Sequence, residues 1–203
     1  MTSGEKLLWD MKVTAGARFN ASHRLASKDR ISNISLALFS GFLLSVSVIG
    51  LAFDLDPAMS KSLSVAGIVA SVMALIFSMK IYADKYAVEA EQMHRCSLEI
   101  NEIRRVYAAE DMSNSKILIK ATEKYNAILH KYSLNHLDED FKKYKYEHRW
   151  EFEDLKEKSG SSVFTENTIR NLKENLFERL SASLGIAGVA AALASLISAI
   201  VGL

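Results

Sequence analysis

The chain has one cysteine, one proline and nine glycines in 203 residues. A lone thiol excludes a disulfide framework and a cysteine-rich metal site, and so little proline and glycine argues against a turn-rich β protein. Charge is missing from three stretches: residues 31–53, 62–79 and 180–203 contain no Asp, Glu, Lys or Arg. The formal net charge of +1 is thus an average over regions that differ sharply. Also missing are the glycine-rich phosphate loops GxxxxGK[ST] and GxGxxG and the nucleophile elbow GxSxG. Their absence removes the usual phosphate and acyl-transfer sites. What is left is helical and apolar, an all-α membrane protein.

Length supports the membrane reading. A hydrocarbon core about 30 Å thick needs about 20 apolar helical residues at a rise of about 1.5 Å each. Residues 31–53 suffice, and the stretch 62–79 is extended to about 58–82 by its apolar flanks, with Lys61 and Lys80 placed to reach the headgroups. Thirty residues carrying Lys6, Lys12, Arg18, Arg24, Lys28 and Arg30 precede the first span, which is therefore not a cleaved signal peptide. Between the spans, Asp56 and Pro57 are a helix start signal, Asp56 as cap and Pro57 in the first turn. The result is a helical hairpin over 31–83. Six basic residues before it and Lys80, Lys85 and Arg95 after it, against Lys61 in the loop, put both ends of the hairpin in the cytoplasm.

The helical pattern continues past the second span. Met79, Tyr86, Met93, Ile100 and Tyr107 recur every seven residues, the mark of a coiled-coil seam, and they are the candidate assembly surface, between subunits or between the stalk and its own downstream helices. With no Gly or Pro between 68 and 110, one unbroken helix is expected from near Pro57 to about Glu110, roughly 80 Å long. A second helix is expected from about Ser115, with Leu118, Ala121, Tyr125, Ile128 and Tyr132 on one face. A third begins near Asp138, with Leu137, Phe141, Tyr144, His148, Phe152 and Leu155 on one face. The organisation reads as a basic amphipathic helix over 1–30, the hairpin over 31–83, a cytoplasmic helical region over 84–158, a linker with an amphipathic helix over 159–179, and a third span over 180–203, for which a buried soluble helix is the competing reading. Small residues at Ser183, Ala187, Ala191, Ser195 and Ala199 give that last segment a close-packing stripe.

No constellation of catalytic residues stands out, so an enzyme is not expected. His94 and Cys96 lack a second cysteine or a paired carboxylate at ligand spacing, and His130 and His136 are separated by a helix break. Asp138, Glu139 and Asp140 fall in the first turn of a helix, where the positive end of the dipole favours acids. The alternation of Lys142, Lys143, Lys145 and Arg149 with Tyr144, Tyr146 and Trp150 could serve single-stranded nucleic acid. Residues 80–179, however, carry 18 basic and 19 acidic side chains, so no net attraction to phosphate backbone exists and no direct nucleic-acid binding is expected. Neither a cofactor nor a metal is called for.

The sharper pattern lies inside the spans. Asn33, Ser40 and Ser47 are seven apart on the first, and Ser64, Ser71 and Ser78 are seven apart on the second, with Gly67 and Ala74 between them. Each helix has one small, polar stripe. Such a stripe either packs helices together or lines a wet lumen in an oligomer. Neither stripe holds a charge, so strong ion selectivity is not expected.

A basic N-terminal helix (Ala17-Arg18, Ala21-Ser22-His23-Arg24-Leu25), a two-span hairpin, a long helix with Tyr86 and Ala90, and then Tyr125, Ile128-Leu129, Asn135-His136 and Asp140-Phe141 resemble the SLATT family. These are bacterial two-transmembrane effectors associated with SMODS nucleotidyltransferases and SLOG sensor domains. The resemblance covers about residues 15–150. It implies a homo-oligomeric effector in the bacterial inner membrane that takes part in antiphage abortive infection, forming a pore when a nucleotide second messenger or a partner such as a nucleotidyltransferase or reverse transcriptase activates it. The other reading that the residues allow is a non-conducting membrane anchor or scaffold for a cytoplasmic partner.

Overall fold

The computed structural model describes residues 1–54 and 56–156. Among them are six α-helices: α1 (Ser3–Ala52), α2 (Pro57–Asp84), α3 (Tyr86–Ala108), α4 (Ser115–Lys131), α5 (Asp138–Glu147) and the short α6 (Glu153–Lys156), with a 3-10 turn at Arg149–Glu151. No strand occurs among the described residues. The linker and amphipathic helix expected over 159–179 and the third span expected over 180–203 lie outside them. Two compact units emerge: a helical unit of residues 1–27 with 86–156, and a hairpin of residues 28–85.

Caps explain where the helices start. Thr2 and Glu5 form a reciprocal box at the head of α1, Thr2 N donating to Glu5 Oε2 at 2.7 Å and Glu5 N to Thr2 Oγ1 at 3.2 Å. Asp56 caps α2 as expected, accepting from Ala58 N at 3.0 Å, with Pro57 as first residue. Asn114 Oδ1 does the same for α4 through Lys116 N. That helix begins at Ser115, where the sequence put it.

Two helix boundaries are not given by the sequence pattern. The basic segment 1–30 and the first span form one continuous helix, α1, because nothing between them breaks the ladder. The long helix expected from Pro57 to Glu110, by contrast, is interrupted at Lys85, whose φ of 51° and ψ of 28° are left-handed. A left-handed non-glycine residue costs on the order of 1 kcal/mol, and neither composition nor periodicity announces it. The break falls where the hairpin ends and the helical unit resumes.

In the helical unit, Met11 and Ala15 of α1 pack with Cys96, Ile100 and Tyr107 of α3, Ala121 and Tyr125 of α4, and Tyr132. A second cluster joins Ala21 and Leu25 to Ala90 and Met93. The first 27 residues, read as a basic amphipathic helix, thus supply one wall of the core. Polar bonds stitch the same elements together: Ser97 Oγ donates to Ala15 O at 2.8 Å and Tyr125 Oη to Thr14 Oγ1 at 2.8 Å. α1 also carries two glycines with structural reasons. A Cβ on Gly16 would lie 2.0 Å from the Tyr144 ring, and one on Gly4 would lie 2.5 Å from Met112 Cβ, so only glycine admits these approaches.

Candidate functional site

The hairpin consists of the second part of α1 and the whole of α2, and both are long and apolar enough to cross a membrane. Their apolar side chains face outward: Leu44, Leu51, Ile68, Val69 and Leu75 are all more than half exposed, and no residue of α2 is buried. Val46 is buried, and a Cβ on Gly50 would meet Leu63 at 3.3 Å. In water, so much exposed Leu, Ile and Val would drive collapse or aggregation, whereas in hydrocarbon the same surface is at rest. A helix satisfies its interior backbone groups within itself, as lipid demands.

On this surface lie both small and polar stripes. Ser64, Ser71 and Ser78 are exposed, and Gly67 and Ala74 are half-buried. Ser64 Oγ donates to Ser60 O at 2.9 Å and Ser71 Oγ to Gly67 O at 2.8 Å. Asn33, Ser40 and Ser47 are exposed as well, Asn33 Nδ2 donating to Asp29 Oδ2 at 3.1 Å and Ser47 Oγ to Leu43 O at 2.9 Å. A Cβ on Gly67 or Gly41 would meet nothing within 4 Å. Both stripes therefore remain open on a single hairpin, with most of the serine hydroxyls bonded to the carbonyl four residues back on their own helix.

Much of the heptad line is taken up within the chain. Met93, Ile100 and Tyr107 are buried inside the helical unit against α1 and α4, Tyr86 packs at the edge of the second cluster, and Met79 is exposed on α2. Three of the five positions are thus occupied by the chain's own helices.

Sequence reasoning missed the polar centre of the helical unit. Asp140, assigned to helix capping, does cap α5 by accepting from Leu137 N at 2.9 Å. It is also 3% exposed and grips Arg24 with both oxygens, Oδ1 to Nε at 2.8 Å and Oδ2 to Nη2 at 2.9 Å. That bidentate bond raises the affinity of Arg24 for its proton. Asn20 Nδ2 joins from α1, donating to Asp140 O at 3.4 Å. Arg18, likewise buried, donates from Nη1 to Cys96 Sγ at 2.7 Å. Burial pushes the Cys96 thiol up despite the opposing pull of Arg18, so Cys96 stays a neutral thiol. Burial, and then Arg18, hold His136 below its ordinary value. Glu99, at the rim, is held low by hydrogen bonds from Lys131 at 2.5 Å and Tyr132 at 2.7 Å. In the sequence Asp140 reads only as a first-turn acid and Arg24 only as part of a basic segment, and only the fold brings residues 24 and 140 together.

Within the basic and aromatic alternation after Asp138, one aromatic faces the core while Trp150 is exposed. Tyr144 is buried against Gly16, with its hydroxyl pushed up to about 12 by that burial, and Phe152 meets the edges of Trp9 and Phe141. Lys142 pairs with Asp138 at 2.6 Å and Lys145 with Asp154, so these cations already have carboxylates. No group of His, Cys, Asp and Glu suited to a metal occurs among the described residues.

Among curated proteins and among solved structures none matches the chain. Over residues 2–180 the sequence matches the SMODS and SLOG-associating 2TM effector domain family 5, a longer reach at both ends than the motifs alone cover. The two apolar helices match, in number and in membrane-crossing length, the two transmembrane elements that this description names. The chain belongs to the SMODS and SLOG-associating 2TM effector domain family 5, a family of membrane effectors of defence systems.

Proposed function

We propose that the protein is an oligomeric effector of a bacterial antiphage, abortive-infection system, whose hairpins assemble in the inner membrane and open a pore when activated. The helical unit faces the cytoplasm, and the trigger is a nucleotide second messenger or a partner such as a nucleotidyltransferase or reverse transcriptase. One observation carries this reading: a stripe of Ser64, Gly67, Ser71, Ala74 and Ser78 runs along a span with no neighbour over Gly67, on a helix otherwise clad in apolar side chains. Small residues allow close approach of a second hairpin, and serine hydroxyls offer lone pairs to water once several copies enclose a lumen. Two spans cannot enclose a channel alone. Assembly through the hairpins also agrees with Met93, Ile100 and Tyr107 being occupied within the chain.

The test is planar-bilayer conductance of the purified protein with variants at Ser71. Ser71→Leu should dewet the lumen and abolish current while leaving the oligomer intact, and Ser71→Asp should be tolerated and shift permeation towards cations.

A second reading, a non-conducting anchor that holds a cytoplasmic partner, has its own support. The hydroxyls of Ser64 and Ser71 are satisfied by their own helix, which lets that stripe rest in lipid. Under that reading Ser71→Asp fails to accumulate, and Ser71→Leu leaves partner recruitment unchanged.

A further inference from the structure

Met11, Ala15, Arg18, Ser22 and Leu25 lie three and four residues apart along one face of α1, and all five are buried. Four of them suit a packed stripe. The fifth is a guanidinium, 5% exposed, at the centre of the line. Its Nη1 reaches Cys96 Sγ at 2.7 Å, but its Nε is buried with no hydrogen-bond partner, and it forms no ion pair among the described residues. Buried arginines are as a rule paired, because desolvating the charge without a counter-charge is costly.

Two carboxylates of the helical unit that could act as counter-charges already have partners. Asp140 is held by Arg24 through both oxygens and by Leu137 N, and Glu99 is held by Lys131 and Tyr132. Cys96 is a weak acceptor, and its burial disfavours the thiolate that would serve as counter-ion. A second buried atom near this centre also has no partner: Nδ1 of His136, a residue on which the Arg18 charge acts directly. Arg18 Nε and His136 Nδ1 are the two such side-chain atoms among the described residues. His136 belongs to the non-helical stretch between α4 and α5, where Ser133, Asn135 and Leu137 are exposed and His136 itself is half-buried.

A polar residue in a helical core sometimes serves only to fix register. That role is filled here by the Nη1 bond to Cys96 and leaves both Nε and Nδ1 unexplained. We propose that Arg18 and His136 bind an oxyanion of the phosphate class, admitted past the stretch 132–137. The Nε edge of a guanidinium presents N–H donors suited to two oxygens of one anion, and an imidazole N–H adds a donor from another element. A tetrahedral oxyanion accepts from both, whereas a planar carboxylate would be satisfied by the guanidinium edge alone. The anion is either free phosphate or the phosphate of a nucleotide. This deepens the effector reading by naming where a phosphate-bearing trigger would be held. Its readout is binding and not current, so either proposal can fail without the other.

The experiment titrates the full-length protein in detergent micelles with inorganic phosphate and, separately, with 5′-AMP, against chloride at equal ionic strength, by calorimetry and by Tm. Saturable binding of phosphate or 5′-AMP but not of chloride is expected. It should weaken by about tenfold or more in Arg18→Lys and in His136→Asn, and persist in Cys96→Ala. Binding of 5′-AMP at least about tenfold tighter than phosphate would identify a nucleotide as the source of the anion, and equal binding would identify free phosphate. No saturable binding of either probe, an equal response to chloride, or unchanged affinity in a folded His136→Asn would overturn the proposal. His136 is only half-buried, so its variant decides the matter even where Arg18→Lys does not fold.

Discussion

The helical unit and the hairpin treat the same residue types in opposite ways. In the helical unit Met11, Ile100 and Cys96 are fully buried, and polar side chains cross between helices to satisfy one another. In the hairpin Leu, Ile and Val point outward, while serines bond to their own backbone. The solvent accounts for the contrast. Water drives apolar groups inward and tolerates charge outside, whereas hydrocarbon rewards neither and demands only that every polar group have a partner. One helix, α1, obeys both regimes along its length: its first part contributes buried side chains to the helical unit and its second part carries exposed ones in the hairpin.

Removing the central ion pair should test that contrast hardest. Asp140→Ala deletes both bonds to Arg24 and the cap on Leu137 N, leaving a part-buried guanidinium unmatched. A loss of about 3 kcal/mol is expected, read as a fall in Tm of the helical unit's near-ultraviolet signal. An unchanged Tm would show that Arg24 is solvated well enough to do without Asp140.

The glycines offer a matched comparison. Gly16→Ala drives a methyl group into the Tyr144 ring and should cost about 1–3 kcal/mol. Gly67→Ala meets open space and should change the stability of a single hairpin by no more than about 0.5 kcal/mol. If Gly67→Ala nonetheless alters oligomer size by native mass spectrometry, the difference belongs to contacts between copies.

The smallest effect concerns pH. His136 binds its proton less readily in the folded state than the ordinary value of 6.5, first because it is buried and then because Arg18 stands close, with Asp140 and Asp138 opposing. The unfolded chain therefore takes up the proton first as pH falls. The stabilisation is complete above about 6.5 and is lost as pH drops through that value towards the lower folded one. Between pH 7.5 and 5, Tm should fall by about 2 °C less in His136→Gln than in the native protein. Equal slopes would assign the acid sensitivity to other groups.

Much of the architecture was legible because it depends on local quantities. Uncharged length marked the two spans, Asp56 and Pro57 marked the start of α2, and apolar spacing marked α4 and α5. The left-handed turn at Lys85 was not legible, since any non-glycine residue is intrinsically unfavourable there and only the surrounding packing can hold it. Nor were the roles of Arg18, Arg24, Asp140 and His136. A buried charge acquires its meaning from partners that lie 78 to 120 residues away in the chain, such as Cys96 for Arg18 and Asp140 for Arg24 and Asn20. The sequence by itself determined that the protein is helical and carries two membrane-length apolar helices, because hydrophobic length and periodicity are properties of a segment. Only the tertiary structure decided which heptad positions are occupied within the chain, which stripes stay open and which arginine lacks a counter-charge, because each is a relation between segments that folding alone brings within reach.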